Sequence, residues 1–234
     1  MPVVDISTVD SVAVVTINNP PVNAFSIAVW SRLRVLLDRI AANEGTGVMV
    51  LTAAGERAFS AGADVKESAG LSAAEERDRH ELVSGGLRQL GTLPIPIVCA
   101  INGAAVGGGL NIAALCDIRI ASVTATFSLP EINHGRLAAG GAFVRRLGVP
   151  AGLINDMLFT GRRLSAAEAL AAHLVNEVVP AAELMRRALD VAQGMAVKSR
   201  AALMTMKRAI QAAESENDHW SGYAAAERSL GVQS

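Results

Sequence analysis

Two uninterrupted apolar runs, Val48-Met49-Val50-Leu51-Thr52 and Ile97-Val98-Cys99-Ala100-Ile101, set the strongest limit on what this chain can fold into. A strand with one wet face alternates apolar and polar residues, and these do not, so they predict a sheet covered on both faces. Two further strands are predicted at Val12 to Ile17, which runs into the chain-reversing Asn18-Asn19-Pro20-Pro21, and at Asp117 to Ala121. Helical spacing separates the strands. Ile27, Trp30, Leu33, Leu36, Leu37 and Ile40 recur at three- and four-residue steps behind Ser26 as N-cap. A charged helix follows from about Ser72 to Leu90, a short one covers Leu110 to Leu115, and Ala53 to Asp64 reads as a loop of polar and small residues.

From Pro150 onward the pattern is mostly helical. Helices are expected over Ala151 to Phe159, Ser165 to Ala171, Ala181 to Met195, Val197 to Ala213 and Asn217 to Leu230, interrupted by a strand at Leu174 to Val179. The expected organisation is an α/β core over residues 1–180 followed by a helical region over 181–234.

Composition narrows the partners. Hydrophobic residues make up 51% of the chain and aromatics only 3%, so the core must be built from small aliphatic side chains. With 21 basic and 22 acidic residues there is no global positive charge to neutralise nucleic-acid phosphates, and no nucleic-acid partner is expected. Cys99 and Cys116 lie in apolar surroundings without a C-x-x-C, as small core residues in a reducing cytoplasm would. His80, His134, His173 and His219 lack metal-ligand spacing, so no metal is expected. The start of the chain has no basic segment followed by an apolar one, and no apolar run reaches the ~18 residues of a membrane span; the chain reads as soluble and unprocessed.

Two segments point to chemistry. Gly107-Gly108-Gly109 follows a predicted strand and opens a helix, so its N–H groups are unobstructed by side chains and aimed outward, although such a triplet also serves close packing. Ser60-Ala61-Gly62-Ala63-Asp64 is a second small-residue segment. Two amide clusters facing one another make an oxyanion hole. Neither segment has the spacing of a phosphate-binding loop, and no serine occupies the glycine turn as a nucleophile would.

Four motifs in order then carry a resemblance: Ala58-Phe59-Ser60-Ala61-Gly62-Ala63-Asp64-Val65-Lys66-Glu67, Ile101-Asn102-Gly103-Ala104-Ala105-Val106-Gly107-Gly108-Gly109, Cys116-Asp117-Ile118-Arg119-Ile120-Ala121 and Phe127-Ser128-Leu129-Pro130-Glu131-Ile132. On these the chain resembles the crotonase (enoyl-CoA hydratase/isomerase) superfamily from Val12 to about Leu230. The resemblance implies a spiral of β-β-α units with a C-terminal trimerisation region, assembled as a homotrimer or a dimer of trimers. It implies an acyl-CoA thioester substrate whose coenzyme A is the only cofactor-like group, and an enolate held by the amides of Ala63 and Gly108. Ser60, Ala61, Asp64 and Lys66 would meet the CoA, although a solvated surface lysine is an equal reading of Lys66.

In hydratases of the family two glutamates share the catalysis. At the matching positions this chain has Asn111 and Glu131. An amide can orient water but cannot carry a proton at neutral pH, so the resemblance implies a single-carboxylate enzyme of isomerase type, or a slow hydratase. Hydroxycinnamoyl-CoA hydratase-lyases also lack the first glutamate and resemble Glu131-Ile132-Asn133-His134-Gly135, with Tyr223 at their phenol-binding region but Ser68 where they have a tyrosine. A catalytically inactive binding module is the alternative from another class. Family members continue past the position of Ser234 into a helix that helps close a neighbour's CoA site.

Overall fold

The computed structural model describes residues 3–216. The chain opens with β1 (Val4–Val9) and β2 (Val12–Ile17), followed by α1 (Ile27–Ala42), β3 (Val48–Ala53), β4 (Ala58–Ser60), α2 (Val65–Ser68) and α3 (Ala73–Gly91). Next come β5 (Ile97–Ile101), β6 (Ala104–Val106), α4 (Gly108–Leu115), β7 (Ile118–Ser122) and β8 (Thr126–Ser128). A 3₁₀ turn at Pro130–His134 leads to α5 (Gly141–Arg145), α6 (Ala151–Thr160), β9 (Arg163–Ser165), α7 (Ala166–Ala171), β10 (Glu177–Val179), α8 (Leu184–Ala196) and α9 (Arg200–Glu216).

The long strands form a six-stranded sheet in the order β1-β2-β3-β5-β7-β10, and the short ones a four-stranded sheet in the order β4-β6-β8-β9. Three times in succession, one strand enters the first sheet and the next enters the second, as the spiral of β-β-α units requires. All pairings are parallel except β1 with β2 and β8 with β9.

The apolar runs are buried on both faces, as read. Met49, Leu51, Cys99 and Ile101 face the main core with α1, whereas Val48, Val50, Val98 and Ala100 face Leu184, Ala188 and Ala192 of α8. Ser26 caps α1 by accepting from the Val29 N–H at 3.2 Å, and Ser72 closes a reciprocal capping box with Glu75 on α3. Both cysteines are buried and reduced. The expected loop from Ala53 to Asp64 contains β4, whose three residues are too few to show a period. The expected strand at Leu174 to Val179 shortens to Glu177–Val179, and the helix expected from Val197 begins at Arg200. The helix read at Asn217 to Leu230, with His219 and Tyr223, lies outside the described residues.

A buried ion pair holds α9 against the sheet. Lys207 is only 6% exposed, and its Nζ donates to Asp117 Oδ2 at 2.7 Å and to the Ile95 carbonyl at 2.8 Å. The same Asp117 oxygen accepts from the Ile97 N–H at 2.7 Å, so the helix is tied to the start of β5. No described helix is long and apolar enough to cross a membrane.

Candidate active site

Strands β4 and β6 pair in parallel, so the segments that follow them leave the small sheet at the same edge. There the two small-residue motifs meet. Gly62 (φ +87°) and Gly107 (φ +52°) both adopt backbone conformations that side chains disfavour. A methyl on Gly62 would lie 2.8 Å from the Val106 carbonyl oxygen and 3.0 Å from the Gly108 nitrogen, and one on Gly108 would lie 3.5 Å from the Ala63 nitrogen. Only bare backbone allows this approach.

The N–H groups of Ala63 and Gly108 are thus neighbours, and both are left free by the local bonding. Around Ala63 the bridge to Phe25 uses the Gly62 carbonyl (2.7 Å) and the Asp64 N–H (3.2 Å), passing over the Ala63 amide. Gly108 is the first residue of α4, where an N–H has no intrahelical acceptor. Two adjacent unused donors, one at a helix start, are suited to an oxyanion.

Strand β8 continues the small sheet by pairing Ala105 with Phe127 and Val106 with Ser128. The Gly107 N–H donates to the Ser128 carbonyl at 2.9 Å, which brings the following 3₁₀ turn beside the glycines. Glu131 on that turn packs so closely that a methyl on Gly107 would lie 2.8 Å from its Oε1. Its Oε2 is buried without a hydrogen-bond partner. Burial pushes the Glu131 carboxyl above its ordinary value, and a bond from its own backbone N–H only partly opposes this. A carboxyl in that state suits proton transfer.

A cavity of about 650 Å³ joins these groups, and Ala61, Ala63, Asp64, Lys66, Gly108 and Glu131 all line it. Two sequence-predicted residues stand apart. Ser60 is fully buried behind the wall, where its Oγ accepts from the Gly62 N–H at 3.0 Å and so shapes the first amide segment. Asn111 is 8% exposed and does not line the cavity; its amide packs against Gly140 and its Oδ1 lacks a partner. Asp64 caps α2 by accepting from the Lys66 and Glu67 N–H groups.

Sequence reasoning missed the opposite wall and the far rim. Asn19 to Val22 and Ala24 form the wall. That loop is pinned by Asn23, whose Nδ2 donates to the carbonyls of Ala54 (3.0 Å) and Ala58 (2.8 Å). His134 and Arg136, a few residues beyond Glu131, complete the rim. Their nearness to a carboxylate already singled out was the available signal.

The comparisons with known proteins agree with this geometry. The chain is 37% identical over 202 residues to the short-chain-enoyl-CoA hydratase of Clostridium acetobutylicum, covering 85% of this chain and 77% of that one. It is 35% identical over 221 residues to the carnitinyl-CoA dehydratase of Proteus mirabilis, covering 93% and 83%. Among solved structures, an enoyl-CoA hydratase from Bacillus anthracis matches with a TM-score of 0.86 at 31% identity over 99% of this chain and 92% of that one. Pseudomonas aeruginosa DspI matches with a TM-score of 0.87 at 32% identity, over 99% and 95%. The profile of the Enoyl-CoA hydratase/isomerase family spans residues 7–231, and the chain belongs to that family, within the crotonase superfamily.

Proposed function

We propose that this enzyme acts on an enoyl-CoA thioester through one proton-carrying carboxylate, as an isomerase or a slow hydratase. The observation that carries the reading is the chemistry of the site: Glu131 lines the cavity beside the amides of Ala63 and Gly108, whereas Asn111, packed against Gly140, offers an amide that cannot carry a proton. The thioester oxygen accepts from the two amides, which stabilises the negative charge that develops when a neighbouring C–H bond breaks. Glu131 takes the C2 proton of a 3-enoyl thioester to leave a dienolate. It then returns that proton to C4, giving the 2-enoyl product. Hydration needs one group to activate water and a proton source for C2, and with an amide at position 111 Glu131 must serve both purposes in turn.

Ala61, Asp64 and Lys66 on the cavity wall are the proposed CoA contacts, and a homotrimer or dimer of trimers is the proposed assembly. The test is a panel of 2-enoyl, 3-enoyl and hydroxycinnamoyl CoA thioesters, with products identified by mass and absorbance. Interconversion of 3-enoyl and 2-enoyl thioesters that disappears in Glu131→Gln supports the reading. Turnover that persists in that variant overturns it.

A further inference from the structure

The short helix α2 forms part of the cavity wall with little of its own to hold it there. Asp64, Val65 and Lys66 line the cavity, Val65 is 51% exposed, and four residues are too few for a helix to be stable by itself. Asp64 fixes the start of α2 from within, by accepting from the Lys66 and Glu67 N–H groups. A bond from Glu67 joins the helix to the body of the protein. Glu67 Oε2 accepts at 2.7 Å from the N–H of Ile27, the first residue of α1, 40 residues back in the chain.

Helix α1 lacks a carboxylate of its own at that end. The first N–H groups of a helix have no intrahelical acceptor, and α1 carries no acidic residue in its first turn. Ser26 takes the Val29 N–H and Glu67 takes that of Ile27. The anchor is firm, because Val29, Trp30, Leu33, Leu36, Leu37 and Ile40 of α1 are all buried. Trp30 packs on Phe25 with ring centroids 4.9 Å apart, and Phe25 is the residue whose backbone bonds the Gly62 carbonyl and the Asp64 N–H on either side of Ala63. The Ala63 amide is therefore held by two fastenings to the same end of α1, one at Phe25 and one at Glu67.

We propose that Glu67 is a positioning residue for the reaction: its carboxylate, bound to the start of α1, holds α2 and with it the Ala63 amide in the orientation that polarises the thioester oxygen. Glu67 does not itself line the cavity and acts through Ala63. The proposal rests on the reading of Ala63 and Gly108 as oxyanion donors. A donor displaced by about 1 Å loses much of its hold on developing charge, so a tether outside the cavity can control the rate.

The bond can be cut from either side. Glu67→Ala removes the acceptor. Ile27→Pro removes the donor at a helix position that favours proline, behind a Ser26 already in the extended backbone that precedes one (φ −80°, ψ 169°). Difference infrared spectra of bound butyryl-CoA, isotope-labelled at the thioester carbonyl, read the polarisation of that bond without turnover, and kcat on an enoyl thioester reads its consequence. Wild type should show a red-shifted carbonyl. Each single variant should lose most of that shift and about 10- to 100-fold in kcat, with KM changed far less. Glu67→Gln, which keeps an acceptor oxygen, should retain both. The double variant should be no worse than either single one, because both cut the same bond. A carbonyl shift and kcat left unchanged in Glu67→Ala or in Ile27→Pro overturn the proposal, and so does a Glu67→Gln as impaired as Glu67→Ala. No carbonyl shift in wild type overturns the oxyanion reading and this one with it; a wild-type shift without turnover of any enoyl thioester overturns the acid–base reading alone, and the spectra still decide the role of Glu67.

Discussion

The Asn111 amide fills the space that a side chain at position 140 would need, since a methyl on Gly140 would lie 1.9 Å from Asn111 Oδ1. Gly140 must therefore stay bare for Asn111 to remain in its niche. Gly140→Ala should destabilise the protein by about 1–3 kcal/mol through overpacking. Adding Asn111→Ala should recover part of that loss, because the two residues compete for one volume. Urea denaturation of both single variants and the double variant measures it; strictly additive losses would show that the contact does not matter.

Asn111→Glu should raise hydration of a 2-enoyl thioester relative to 3-enoyl isomerisation. The longer carboxylate offers a second proton carrier near Glu131. Both rates must be taken on the same acyl chain, since added bulk at position 111 could lower them together. Wild-type hydration already as fast as in two-glutamate enzymes would refute the idea.

Glu131→Gln should lower turnover by about 10²–10⁴-fold, the usual contribution of general acid–base catalysis. Stability should move the other way at neutral pH. Burial raises the folded-state value of this carboxyl, so the folded protein favours the proton. That contribution is full below the ordinary glutamate value of about 4.3 and is lost as pH rises through the raised one. Glutamine cannot ionise, so the variant should equal or exceed wild-type stability at pH 7 and show a flatter profile as pH rises from the ordinary glutamate value through the raised one. Denaturant midpoints across that range supply the check, and a variant less stable than wild type at pH 7 would contradict it.

Lys207→Met should loosen α9 from the sheet. Removing the ammonium leaves Asp117 with its Ile97 bond, and because Asp117 is 35% exposed at its side chain, water can take up part of the lost charge. The expected cost is about 1–3 kcal/mol, below that of a fully buried pair. Amide hydrogen exchange should accelerate in α9 more than in β3, a strand buried along its whole length. Uniform acceleration would mean that the pair supports the whole fold rather than this helix.

Much of the framework was legible locally. The runs at Val48 to Thr52 and Ile97 to Ile101 determined a sheet buried on both faces, because a strand's exposure is written in its own alternation. The spacing behind Ser26 determined α1 and its cap for the same reason. The glycine motifs and Glu131 marked the site through the identity of their residues. The remainder depended on approaches between distant segments. Strands β4, β6 and β8 have three residues each, too few for a period, yet their pairing sets the Ala63 and Gly108 amides beside Glu131. Asn111 could be identified from spacing, but the contact of its amide with Gly140 joins segments distant in sequence. Lys207 finds Asp117 across 90 residues. Periodicity reports what each segment must bury, whereas side-chain neighbours across segments are fixed only when the packed backbone brings them within contact distance.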